Sequence, residues 1–226
     1  MLKRAVIIYG PPGSGKGTQA ELLAKKFGFI HFDTGRYFEA LLHSPETQKN
    51  PVLRRERKNF DNGILLSPSW VLKVVAKATE RIAKAGLNIV YSGSPRTLYE
   101  AFGKNNDGLF KILEKHYGKK NITVIKLNVR GGTSLRRNSR RLVCAVCGLP
   151  VLAEAKAKKC SFCSGPLKKR TLDKPEVIKI RLKEYENRTY PILAKAKKGG
   201  FKVKTVDGEP EPYKVFERVQ GACGLN

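Results

Sequence analysis

The decapeptide GPPGSGKGTQ (10–19) constrains the fold more than any other stretch. It follows AVIIYG (5–10), a continuous apolar run that reads as a strand buried on both faces. From Lys16 to Phe27, Ala20, Leu23, Ala24 and Phe27 recur with helical spacing and form an apolar stripe. The stretch is therefore a glycine loop between a parallel strand and a helix. Gly10, Gly13 and Gly15 let the backbone curl so that successive N–H groups face one anion, and the helix N-terminus adds partial positive charge. Ser14 and Gly17 complete the curl, Lys16 is placed to bridge terminal phosphates, and the Thr18 hydroxyl can serve phosphate or magnesium. The general pattern has Ser or Thr directly after the lysine; here Gly17 intervenes.

The rest of the chain alternates in the same way. FIHF (29–32), NIVYSG (88–93) and ITVIKLNV (122–129) read as strands. Residues 35–60 read as irregular helix broken at SPETQKNP. Pro68 opens a further helix behind Ser67 as its expected cap. GLFKILEKHYG is an amphipathic helix, and Pro175 to Lys197 carries a long helical period. Strands alternating with helices predict an α/β fold with a parallel sheet covered on both faces. Cys144, Cys147, Cys160 and Cys163 form two CxxC pairs that interrupt this alternation after the fourth strand, so they belong to an insert. Four thiolates at that spacing suit one tetrahedral zinc with no open position, a structural site. Cys223 is assigned no role, and His31, His43 and His116 read as packing residues.

The chain carries 45 Lys+Arg against 19 Asp+Glu. Such a surface attracts polyanions. Residues 130–170 hold eleven Lys/Arg and one acid, Glu154, and Arg136, Arg137, Arg140 and Arg141 are packed into six positions. A nucleic-acid binder would need aromatic rings beside these charges, and between Arg130 and Arg170 there is only Phe162. Nucleic acid is thus not the expected partner. No apolar run approaches the ~20 residues of a membrane span, and the opening MLKRAVIIYGPPG lacks the pattern of a signal peptide. A cytoplasmic location without membrane contact is expected.

Five stretches taken in order resemble the adenylate kinase family: GPPGSGKGTQ, DTGRYF (33–38), SGSPRT (92–97), RRNSRRLVCAVCG, and LKKRTLDKPEVIKIRLKEYENRTYPI (167–192). Together they span nearly the whole chain. The resemblance implies a P-loop kinase fold with a five-stranded parallel sheet. Residues 1–34, 67–133 and 173–226 would form the core, 35–66 an insert over a nucleoside monophosphate, and 134–172 a zinc-bearing lid over ATP. It implies in-line transfer of phosphate from ATP to a monophosphate, AMP first, by a monomeric enzyme using magnesium, with catalysis by positioning and charge neutralisation. Lys16, Arg96, Arg137, Arg141, Arg170 and Arg181 are assigned that work. Arg137 and Arg141 join the phosphate loop in holding ATP. Thr34, Gly35, Arg36, Gly93, Arg96, Glu100, Arg170 and Arg181 are assigned to the monophosphate.

The sequence departs from the family in four places. Glu39 stands where the family has a phosphate-gripping arginine, and Arg36, one helical turn earlier, is expected to take over. Ser92 replaces the aspartate that anchors magnesium through water. Asp33 either supplies the missing carboxylate or caps the following helix. Glu100 replaces a glutamine that reads adenine. An ionised carboxylate only accepts hydrogen bonds, which suits guanine or the cytosine amino group better, so GMP, CMP or UMP is the alternative acceptor. At the lid exit, Leu172 replaces the first of two acids and Asp173 keeps the second.

Overall fold

The structure, a computed structural model, describes residues 3–151, 155–169 and 173–225. Five strands form a parallel sheet: β1 (Ala5–Tyr9), β2 (Phe29–Phe32), β3 (Asn88–Tyr91), β4 (Ile122–Asn128) and, last in the sheet, β8 (Lys202–Asp207). Their order is β2-β3-β1-β4-β8. β1 pairs on one side with β3 (Val6 opposite Val90) and on the other with β4 (Val6 opposite Thr123). The alternation of a pleated strand explains its composition. Ala5, Ile7 and Tyr9 enter the apolar layer shared with Tyr91, Phe110 and Leu113, while Val6 and Ile8 enter the opposite layer with Leu23, Ile125 and Val219. A strand buried on both faces has little room for polar groups, and the one side-chain polar atom of β1, the Tyr9 hydroxyl, is buried without a partner among the described residues.

Helices cover both faces. α1 (Lys16–Phe27) links β1 to β2. The segment expected to be irregular helix resolves into α2 (Thr34–Leu42), α3 (Glu46–Lys49) and α4 (Pro51–Asp61). Asn50 caps α4 by accepting from Val52 and Leu53 N–H at 2.9 and 3.3 Å. α5 (Pro68–Lys84) precedes β3, and α6 (Leu98–Phe102) and α7 (Leu109–Tyr117) lie between β3 and β4. Ser67 stands at the N-cap position of α5 but makes no cap bond. Its hydroxyl instead donates to the buried Glu56 carboxylate at 2.6 Å, and its N–H donates to the same carboxylate at 2.8 Å. A buried charge outcompetes the helix end for that hydroxyl.

After β4 come α8 (Gly131–Arg140) and three short strands, β5 (Leu142–Cys144), β6 (Pro150–Val151) and β7 (Leu167–Lys168). These pair antiparallel in the order β6-β5-β7 as a sheet of their own. The expected long helix is α9 (Pro175–Glu184), a π-helical turn over Tyr185–Thr189, and α10 (Tyr190–Lys198). α11 (Pro212–Cys223) follows β8. No helix among the described residues is long and apolar enough to cross a membrane.

Candidate active site at the ends of the parallel strands

β1 delivers the chain into the glycine loop at the point where the order of strands reverses, the crevice where open α/β sheets bind ligands. Gly13 and Gly15 have φ of 76° and 92°. A Cβ on Gly13 would lie 2.5 Å from Asn138 Nδ2 and 2.7 Å from the Ser134 carbonyl of α8, whereas one on Gly15 would meet nothing within 4 Å. The loop is therefore pressed against α8 on one side and open on the other. Ser134 Oγ donates to the Pro12 carbonyl across the same contact. Ser14 is buried, Gly17 is exposed and Thr18 is half-buried at the head of α1.

Lys16 is half-buried and turns back on its own loop. Nζ donates to the Gly10 and Pro11 carbonyls at 2.7 and 2.8 Å. Burial holds its ammonium well below the usual lysine range, and the guanidiniums of Arg181, Arg96 and Arg141 push it further down, with Asp33 opposing them. Three guanidiniums, from the β3–α6 loop, the end of α8 and α9, thus act on the Lys16 ammonium beside the phosphate loop. Arg141 donates from Nε and Nη2 to Asp173 at 2.9 and 2.6 Å, and Arg181 Nη1 lies 3.6 Å from the same carboxylate. Arg96 Nε donates to the Gly93 carbonyl at 2.6 Å.

Two of the expected arginines point elsewhere. Arg137 donates to the Gly208 and Glu209 carbonyls, both at 2.8 Å, on the loop after β8. Arg36 Nη2 lies 3.4 Å from the Cys147 carbonyl, and its guanidinium is close enough to Gly148 that a Cβ there would approach it to 2.7 Å. Arg170 lies outside the described residues.

Asp33 caps α2: Oδ1 accepts from Arg36 N–H at 3.1 Å. Ser92 is buried at the end of β3, and a hydrogen-bond chain runs from it that the sequence did not reveal. Its Oγ meets His31 Nε2 at 2.8 Å, and His31 Nδ1 meets Glu21 Oε2 at 3.1 Å. His31 is thus a polar link between α1, β2 and β3, not a packing residue alone.

A cavity beside this cluster is walled by Phe38, Phe60, Leu66 and Val71 on its apolar side. Thr34, Gly35, Gly93, Arg96 and Glu100 line it as well. Thr34 Oγ1 is buried without a partner among the described residues, and a Cβ on Gly93 would run into it. Glu100 is buried and folded back on the start of α6. Oε2 accepts from Arg96 N–H at 2.9 Å, Oε1 accepts from the Thr97 hydroxyl at 2.9 Å, and Thr97 Oγ1 in turn accepts from Glu100 N–H at 3.1 Å. Burial raises its pKa, against the pull of those bonds.

The four cysteines of the CxxC pairs come together with every Sγ within 4.8 Å of the others. Cys144 and Cys163 are 3.5 Å apart, Cys147 and Cys160 3.7 Å. A tetrahedron of sulfurs at 2.3 Å from zinc has edges of about 3.8 Å, so the donor set and its spacing fit that ion. The N–H groups of Val146 and Cys147 point at Cys144 Sγ, each at 3.4 Å, an arrangement that favours a thiolate there.

Sheet order, glycine loop and clustered cations define a P-loop phosphotransferase. The family model for adenylate kinase matches residues 8–200. The chain is 34% identical over 224 residues to the adenylate kinase of Dehalococcoides mccartyi strain CBDB1, covering 97% of this chain and 98% of that protein. It is 34% identical over 209 residues to that of Citrifermentans bemidjiense (90% and 91%), and 31% identical over 226 residues to that of Carboxydothermus hydrogenoformans (96% and 98%). The chain belongs to the adenylate kinase family and is a nucleoside monophosphate kinase.

Proposed function

We propose that the chain transfers the γ-phosphate of ATP to AMP, giving two ADP, in a cleft that arginines line and that two inserts close. The observation carrying this is the gathering of Arg96, Arg141 and Arg181 around Lys16 at the phosphate loop. An α-phosphate oxygen of the monophosphate attacks the γ-phosphorus in line; that P–O bond forms as the bond to the β-phosphate bridging oxygen breaks, and ADP leaves. No covalent enzyme intermediate is needed, so the work is alignment and charge neutralisation. Lys16 would leave the Gly10 and Pro11 carbonyls for the β- and γ-phosphates. Arg96, Arg141, Arg181 and Arg170 would hold both phosphate chains, their planar forks gripping two oxygens each. Arg137 would border the ATP site from α8.

In this reading residues 35–66 fold over the monophosphate and 134–172 over ATP, excluding water that would otherwise accept the phosphoryl group. Magnesium, when bound with ATP, would be held through water by Asp33 and Ser92 and would offset the negative charge of the phosphates. Zinc held by Cys144, Cys147, Cys160 and Cys163 would be structural. Arg36 reaches the phosphate only by giving up its contact with Cys147.

The acceptor base has a second reading, because Glu100 lines the cavity as a hydrogen-bond acceptor. A coupled assay offering ATP with AMP, GMP, CMP and UMP in turn, with and without magnesium, tests both. Turnover highest with AMP and abolished by chelation supports the first reading. Turnover highest with GMP, CMP or UMP selects the second, and none with any acceptor overturns both.

A further inference from the structure

Asp173 is a buried carboxylate, its side chain 2% exposed, set among cations that the reading above assigns to phosphate. It meets Arg141 through two hydrogen bonds in the side-by-side geometry that guanidiniums use for phosphate oxygens, and it stands 3.6 Å from Arg181. Arg141 follows α8, Asp173 precedes α9 and Arg181 lies on α9, so one carboxylate ties together the two ends of the four-cysteine segment and the core. Without it, Arg141 and Arg181, which both act on the Lys16 ammonium, would face one another with no negative charge between them. A carboxylate here also competes with incoming phosphate for the same donors.

We propose that Asp173 is a positioning residue that stands in for phosphate in the free enzyme. It holds the guanidiniums of Arg141 and Arg181 in their working orientation and weakens the grip on phosphate chains in exchange. This rests on the phosphoryl-transfer reading for its consequence in turnover, but the occupancy of the guanidiniums is testable without it. The signature is opposed: removing the charge strengthens anion binding while slowing the reaction, because a more positive site holds phosphate tighter but no longer aligns it.

The probe is inorganic tripolyphosphate, titrated calorimetrically into wild type, Asp173→Asn and Asp173→Glu, alongside steady-state kinetics with ATP and AMP. Asp173→Asn is expected to bind tripolyphosphate several-fold tighter and to lose at least tenfold in kcat. Asp173→Glu keeps the charge but displaces it, so its tripolyphosphate affinity should stay near wild type while kcat falls. Weaker or unchanged tripolyphosphate binding by folded Asp173→Asn overturns the proposal, as does an unchanged kcat. In the wild-type protein itself, the Arg141 Nε–H resonance, assigned by its loss in Arg141→Lys, should be protected from solvent exchange before any ligand is added. An unprotected Nε–H overturns the proposal even where Asp173→Asn does not fold. A wild type that binds tripolyphosphate but never transfers phosphate would refute the kinase reading alone.

Discussion

The phosphate loop and the four-cysteine segment hold their shapes by opposite means. The loop springs from β1, whose five residues are all buried, and it inherits rigidity from two apolar layers. The four-cysteine segment contributes Cys144 and Cys160 to the buried apolar set, while Val146 and Phe162, at the tips of its two turns, are 68% and 79% exposed. A core cannot organise it; four sulfurs can. One region is therefore fixed by the hydrophobic effect and has only to be furnished with charges, whereas the other carries a donor set that a metal ion would have to organise. The difference teaches that one chain can place a stable cradle beside an element whose order is conditional.

The largest effect should come from Lys16→Met, which removes the charge at the loop. Turnover should fall by about 10³-fold, with thermal stability and zinc content unchanged. Parallel loss of zinc would mean that the two regions are not independent. Cys144→Ser is the converse: it should strip the metal and cost about 10²-fold in turnover by misplacing the segment, while the melting temperature of the sheet persists. A cooperative collapse of the whole chain in that variant would break the comparison. Gly13→Ala forces a strained φ and a Cβ 2.5 Å from Asn138, so it should destabilise the chain by about 2 kcal/mol, measurable by urea denaturation. A wild-type midpoint would show that α8 yields freely.

Two smaller effects concern pH. The Glu209 carboxylate accepts from Arg130 N–H at 2.6 Å and from the Thr133 hydroxyl at 2.8 Å, which brings it down to about 2. A carboxyl lowered on folding stabilises above its unfolded pKa of about 4.3, and that stability is lost as pH falls toward 2. Hydrogen exchange in α8 should accelerate over that window, and Glu209→Gln should flatten the change; an unaltered acid profile would sever Glu209 from α8. Glu100 has the opposite sign. Its pKa is raised by burial, so the folded state binds the extra proton and loses stability as pH rises from about 4.3 upward. Glu100→Gln should remove that decline and, in the assay with four acceptors, shift preference toward AMP. A decline of equal size in the variant would assign it to other groups.

Much of this was legible in the sequence for local reasons. The glycines, Lys16 and the CxxC pairs act over a few residues, so spacing alone exposes them. The strands of the sheet core are continuous apolar runs and were equally plain. What escaped was long-range. His31 meets a hydroxyl 61 positions away, and no periodicity announces such a partner. Ser67 looked like a cap, yet Glu56 claimed its hydroxyl from eleven residues back. Glu100 was expected to read a base; its carboxylate also closes the first turn of α6, a use that T-x-x-E spacing alone could have signalled. Asp173 read only as the retained acid of the lid exit, and its partners Arg141 and Arg181 came from the fold.

The abutment of Gly13 on α8 has a mechanical consequence. The helix that touches the nucleotide cradle is the stem from which the sulfur-bound segment grows, and it bears Arg137 and Arg141 near its far end. On the proposed reading, a triphosphate seated in the loop would stand one helix away from the four-cysteine segment, so α8 alone would connect its arrival to that segment.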